Sequence, residues 1–185
     1  MASVRTLLEA IREPTEFASR PPDLLTHATL IAGASLGIGV YAAAIHAAEG
    51  VTAMITGCAR GLGTAGLAYT LAVPALVVLG ALSGSSVPWR RSTGASLVAV
   101  NFGGLAFLAS IPVVALLELT SPFDWTRPLV NSLVVVGVGG SSTLVFERAM
   151  AALEGRKLTH RLFMTVFGAL FVEIAFLIDL FRFTR

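Results

Sequence analysis

Long apolar stretches alternate with short polar segments along the chain. The apolar stretches cover residues 28–48, 67–84, 95–117, 128–146 and 162–181. A hydrocarbon core about 30 Å thick needs roughly 20 residues of α-helix at 1.5 Å of rise per residue. The pattern therefore predicts an all-α, polytopic membrane protein, a bundle of about five transmembrane helices.

The first 26 residues are polar and charged, with one amphipathic stretch. Val4, Leu7, Leu8 and Ile11 recur at helical spacing, and charged residues occupy the other side. We predict a cytoplasmic segment (residues 1–26) whose helix lies at the headgroup level with its apolar side in the membrane, followed by a transmembrane domain (residues 27–185). A partly disordered tail is the alternative. This segment lacks the apolar core of a cleavable signal peptide, so the first span is expected to act as an uncleaved targeting signal.

Residues 51–66 are weakly hydrophobic and contain Arg60 and several glycines. We expect an interfacial helix that leads into the second span, although a re-entrant or spanning segment fits as well. Gly61, Gly63 and Gly66 match G-x-G-x-x-G, but no βαβ pattern surrounds them, which excludes a dinucleotide site.

The second and third spans contain one proline each, Pro74 and Pro112, and are joined by a turn at residues 84–94. A proline removes a backbone hydrogen bond from a helix, and neighbouring helices can absorb this cost in a membrane bundle. We therefore predict a hairpin of two kinked helices.

Small residues recur four positions apart in two spans: Gly33 and Gly37 in the first, Gly137 and Ser141 in the fourth. This spacing lets a neighbouring helix approach closely. We predict that these four residues pack helices together.

Three polar residues form a candidate intramembrane site: Glu173, Asn101 and Asn131. Glu173 lies near the middle of the fifth span, where a carboxylate costs on the order of 3 kcal/mol to insert. It should face the bundle interior, with a raised pKa or a partner such as Asn101, Tyr69 or Thr70. The group can serve as an ion or proton site, or it can lock helices together by hydrogen bonds, which the pattern favours.

Composition limits the possible chemistry. The chain is 55% hydrophobic and 13% charged, with a mean hydropathy of +0.82, a formal charge of +2 and one cysteine. A nucleophile elbow and an H-E-x-x-H motif are missing, and the three histidines fall near both membrane surfaces. We predict no catalytic residue, cofactor or metal, and no nucleic acid partner. The expected partners are the lipid bilayer, other membrane proteins and a second copy of the chain.

The basic residues predict an orientation. With five spans, nine of the 13 Lys and Arg residues fall on the side of the N-terminus. The positive-inside rule then places the N-terminus in the cytoplasm. An additional crossing at residues 51–66 would invert every later loop.

A resemblance to a known family rests on short motifs: Glu13-Pro14-Thr15-Glu16-Phe17 before the first span, the proline-containing span 71–82 that runs into Ser83-Gly84-Ser85, and Arg90-Arg91 opening a span with a late Pro112. In this layout the chain resembles Yip1-like small multi-pass membrane proteins, particularly bacterial relatives of unassigned function. The resemblance implies five helices, a cytoplasmic N-terminus in the bacterial inner membrane, and a role in membrane organisation or partner binding.

Packing faces outnumber candidate sites, so the sequence predicts a non-enzymatic scaffold or a subunit of a membrane complex. The alternative is a small transporter or channel subunit that uses Glu173. An enzyme with a lipid substrate would need a polar cluster at the headgroup level, and the sequence alone does not assemble one.

Overall fold

The computed structural model describes residues 2–20, 23–82, 84–120 and 125–154. Over these residues the backbone forms helices and no strand. The helices are α1 (Ala2–Arg12), α2 (Pro14–Ser19), α3 (Leu24–Ala44), α4 (Val51–Leu82), α5 (Trp89–Thr120) and α6 (Thr126–Glu154), with a short 3-10 turn at Ala47–Glu49. The predicted fifth span, 162–181, lies outside the described residues.

Four of these helices, α3 to α6, are long and apolar enough to cross a membrane. Their outward sides carry exposed apolar side chains, such as Leu36 (61% exposed), Leu116 (62%) and Val136 (68%). Apolar surface of this extent is costly in water and suits lipid. The prediction of an all-α, polytopic bundle is confirmed, and the chain is an integral membrane protein.

Residues 51–66 form the first half of α4 and are not a separate segment. The helix runs without interruption from Val51 to Leu82 and continues through Pro74, as α5 continues through Pro112. The helix that contains most of the predicted second span, 67–84, therefore begins near residue 51, and its candidate spanning part is Val51–Val78. Because residues 51–66 belong to the same helix as the second span, they add no further membrane crossing. The side of the membrane predicted for each later described loop therefore does not change.

The contact between α3 and α5 is the closest in the described bundle. A Cβ atom placed on Gly37 would overlap the backbone carbonyl of Gly104, and one on Gly104 would lie 2.7 Å from the Cα of Ala34. Along this contact Gly33 meets Asn101, Gly37 meets Gly104, and the Tyr41 ring meets the Phe107 ring at 4.9 Å. From one contact to the next the residue numbers increase in both helices, so α3 and α5 run parallel.

The other two spanning helices pack on the outer sides of this pair. A Cβ on Gly61 of α4 would lie 2.6 Å from the Cβ of Ala42 in α3, and one on Gly103 of α5 would lie 2.6 Å from Ser142 Oγ in α6. Helix α4 thus packs mainly against α3, and it meets α5 where the Tyr69 and Ser96 hydroxyls share a 3.0 Å hydrogen bond. The second and third spans are therefore not a simple hairpin, because α3 supplies most of the surface that α4 contacts.

The N-terminal helices belong to the bundle. Helix α1 ends at Arg12, and Pro14 begins α2, which packs against α5 and α6. Ala10 and Phe17 are buried at 1% and 9% exposure, whereas Leu8 is 61% exposed. We predicted that the apolar side of α1 faces lipid. Leu7, one of the four residues of that side, instead packs against the core beside Gly33 of α3.

The α3–α5 contact predicts opposite effects for two glycine substitutions. Gly37→Ala should destabilise the bundle by about 1–3 kcal/mol, because the new methyl group overlaps the Gly104 backbone. Gly63→Ala should be neutral or slightly stabilising, because a Cβ at Gly63 meets nothing within 4 Å. Thermal unfolding of both variants in detergent measures the difference, and equal stability of the two would contradict this contact.

Candidate functional site

Asn101 is the most deeply buried polar residue that the structure describes. Its exposure is 0%, and neither amide atom has a hydrogen-bond partner among the described residues. A Cβ on Gly33 would lie 2.5 Å from Asn101 Oδ1 and 2.7 Å from Leu7 Cδ2, so Leu7 and Asn101 reach the same glycine. An unpartnered buried amide costs about 1–3 kcal/mol, which makes Asn101 a candidate for interaction with a further group.

Asn131 is a hydrogen-bond acceptor between helices. The Tyr41 hydroxyl donates to Asn131 Oδ1 at 2.9 Å, and the Tyr41 ring is buried beside Phe107. The interaction ties α3 and α6 together next to α5. Asn131 thus makes a hydrogen bond between helices within the described bundle.

The two asparagines do not form one site. Asn101 contacts α3 at Gly33 and Asn131 contacts it at Tyr41. These positions are eight residues apart on one helix, about 12 Å along its axis. Glu173, the third member of the predicted polar site, lies outside the described residues.

The predicted packing residues have different surroundings. Gly33 and Gly37 lie at the α3–α5 contact, whereas a Cβ on Gly137 meets nothing within 4 Å. Ser141 Oγ donates to the Gly137 carbonyl within its own helix at 2.7 Å. The packing role of Gly137 and Ser141 therefore stays a prediction. Sequence reasoning overlooked Gly104, because no small residue lies four positions from it in the third span.

A cavity of about 380 Å³ lies where α3 and α5 begin, beneath α1 and α2. We call it the N-terminal cavity. Its polar lining residues are Thr6, Glu9, Arg20, Thr26, His27 and Arg91. Its volume is within the size range of small-molecule pockets. Its lining is a polar cluster near the ends of the spanning helices, which the sequence alone did not predict.

The carboxylates at this cavity are already engaged by arginines. Glu9 pairs with Arg5 at 2.9 Å and with Arg20 at 3.2 Å, and Arg20 also pairs with Glu16 at 3.3 Å. Hydrogen bonds from Arg5, and then from Arg20, hold the pKa of Glu9 below its ordinary value. Hydrogen bonds to Glu16 and Glu9 likewise raise the pKa of Arg20. These pairs are exposed to solvent and orient Arg20 more than they stabilise the fold.

Arg91 and His27 complete the charge pattern of the cavity. Arg91 has no ion-pair partner among the described residues. The His27 ring donates from Nδ1 to the Asp23 carbonyl at 2.8 Å, since a carbonyl can only accept, and Nε2 of the neutral ring is therefore an acceptor. The cavity thus has one cation whose charge is uncompensated.

The order of the spans along the sequence could have predicted that Arg20, His27 and Arg91 lie at the same membrane surface. Arg20 and His27 flank the start of the first span, and Arg91 lies at the start of the third. Successive odd-numbered spans enter from the same side of the membrane, so all three residues face one surface. What that order could not show is that α1 and α2 lie at that surface and form an open cavity together with the starts of α3 and α5.

Comparison of the chain with protein-family models, curated proteins and solved structures gave no match. The Yip1-like resemblance therefore stays a prediction.

Leucine substitutions separate the two asparagines. Asn131→Leu should destabilise the protein by about 1 kcal/mol, because Tyr41 loses its acceptor. Asn101→Leu should stabilise it by about 1 kcal/mol or more, because a side chain of similar shape replaces an unpartnered amide. Thermal unfolding of the full-length chain in detergent measures both. A larger loss for Asn101→Leu than for Asn131→Leu would mean that Asn101 has a partner outside the described residues.

Proposed function

We propose that this integral membrane protein is a non-enzymatic scaffold or a subunit of a membrane complex. In this function its helices pack against those of other membrane proteins or of a second copy of the chain.

The observation that carries the proposal is an open small-residue surface on α6. A Cβ on Gly137, Gly139 or Gly140 would meet nothing within 4 Å among the described residues. Neighbouring Leu133 and Leu144 are 62% and 53% exposed. Glycines on α3 and α5 are already used for contact, and small residues in lipid let another backbone approach closely. The α6 surface is suited to the same kind of contact.

The polar groups inside the described spans support the same function. Tyr41 bonds to Asn131, and Tyr69 bonds to Ser96, so these pairs join helices of the bundle. Glu147, near the end of α6, is the one carboxylate in the four candidate spans. A chain of acidic groups and histidines, which proton relays use, is not present in this part of the protein.

The assembly state tests the scaffold proposal. Wild-type protein extracted in gentle detergent should migrate as a complex larger than one chain, and Gly140→Leu should shift most of it to a smaller species because the leucine blocks close approach. Gly63→Leu, also at an open glycine but on α4, is the matched control and should leave the complex intact. A wild-type protein that runs as a single chain with nothing bound would refute the scaffold. If Gly140→Leu lowered the thermal stability of one chain without changing assembly, the α6 surface would be internal to the chain.

Asn101 favours a second candidate, a small transporter or channel subunit. Its amide is fully buried and has no hydrogen-bond partner among the described residues, as expected of a group that binds a further polar group. Glu173 is the side chain that we predicted to pair with it. Glu173→Gln in proteoliposomes distinguishes the two functions. A loss of pH-dependent flux with an intact fold would favour transport, whereas altered assembly would favour the scaffold.

We further propose a cytoplasmic N-terminus in a bacterial inner membrane, as the Yip1-like resemblance implies. Support comes from six arginines on the N-terminal side of the described bundle: Arg5, Arg12, Arg20, Arg90, Arg91 and Arg148. A fluorescent protein that matures only in the cytoplasm, fused at residue 1, should be bright. Alkaline phosphatase at the same position should be inactive, and an active phosphatase fusion would reverse the orientation.

A further inference from the structure

The N-terminal cavity has the chemistry of an anion site. Arg20 is balanced by Glu9 and Glu16, so the guanidinium of Arg91 is the net charge that remains among the described lining groups. A planar guanidinium with several N–H donors matches phosphate oxygens in a two-point contact. An anion with at least two oxygens on one centre therefore fits this site better than a halide or a single carbonyl.

A neutral group of the cavity lining can add to the coordination of such an anion. Thr26, in the first turn of α3, has a hydroxyl that can donate a hydrogen bond to it. His27 lies beside Thr26 but offers no donor, because its Nδ1–H is used by the Asp23 carbonyl and Nε2 of the neutral ring is an acceptor. Arg91 lies in the first turn of α5. Two parallel helices thus direct their N-terminal ends, the positive ends of their dipoles, toward one space. The helix ends reinforce the charge of Arg91, and the one carboxylate at them, that of the α3 N-cap Asp23, does not line the cavity.

The position of the cavity indicates where the anion comes from. It opens where two candidate spans begin, at the level where headgroups of a bilayer lie. Trp89, 58% exposed beside Arg90, is typical of that level. Leu24 and Leu25, directly before Thr26, are 85% and 73% exposed and offer apolar surface to acyl chains. A soluble ligand would use no such surface.

We propose that the N-terminal cavity binds the phosphate of an anionic phospholipid headgroup, with Arg91 as the principal cationic contact. This site goes beyond the scaffold function, which depends on α6 and not on this surface. Bound lipid would brace α1 and α2 against the starts of α3 and α5.

Native mass spectrometry of the full-length chain in detergent tests the proposal. Dioleoyl-phosphatidylglycerol, which is anionic, and dioleoyl-phosphatidylcholine, which is zwitterionic, are added separately. Wild-type protein should retain the anionic lipid in preference. Arg91→Gln should weaken its retention about tenfold, because the two-point contact is lost. Arg91→Lys should give an intermediate loss, since it keeps the charge without the fork, and it controls for misfolding of the glutamine variant.

Arg90→Gln is the matched control, because it removes the same charge one residue away and Arg90 does not line the cavity. It should retain the anionic lipid as wild type does. Equal losses in Arg90→Gln and Arg91→Gln would show general attraction of lipid to a basic surface and would overturn the site. Equal retention of both lipids by the wild type would overturn it as well.

The source of the phosphate is tested with inorganic phosphate. Phosphatidylglycerol should raise the thermal unfolding temperature of the wild type and have less effect on Arg91→Gln, while inorganic phosphate at equal concentration should have little effect on either. If inorganic phosphate stabilised the wild type as much as the lipid did, the cavity would be a site for a soluble phosphate, and the lipid assignment would be wrong.

Discussion

The backbone contact between α3 and α5 governs the arrangement of the described helices. Gly37 and Gly104 lie so close that neither position has room for a side-chain carbon without movement of the other helix. In lipid the hydrophobic effect does not drive helices together, so close packing and hydrogen bonds must do so. Two parallel helices held at this distance provide the outer surfaces on which α4 and α6 pack, and a groove in which α1 lies.

The same contact determines the environment of the polar side chains within the membrane. Tyr41 reaches Asn131 because α3, α5 and α6 converge near Phe107. Their hydrogen bond adds a directional interaction to van der Waals packing between the helices. Six residues closer to the start of α5, the close approach at Gly33 encloses Asn101 without supplying a partner among the described residues. The α3–α5 pair therefore contains one buried polar side chain that has a hydrogen-bond partner, Tyr41, and one that has none among the described residues, Asn101.

The N-terminal helices connect the bundle to the membrane surface. Phe17 and Ala10 join the apolar core, while Glu9 and Arg20 form ion pairs on the outside. The apolar contacts hold α1 and α2 in place. The ion pairs neutralise Arg20 and leave Arg91 without a carboxylate partner among the described residues. Arg91 keeps an uncompensated charge in the N-terminal cavity as a result. A segment that reads as a peripheral anchor thus becomes one wall of a candidate binding site.

Composition and the length of the apolar stretches were enough to establish a helical membrane protein, because the thickness of a bilayer requires about 20 apolar residues per helix whatever the helix contacts. The distinction between Gly37, which is packed, and Gly63 or Gly137, which are open, came only from the tertiary structure. So did the burial of Asn101 and the position of Arg91 at the N-terminal cavity. In water, polarity marks the outer face of a helix. In a membrane the lipid-facing side and the packed side are both apolar, so hydropathy along the chain carries no record of which face meets which helix.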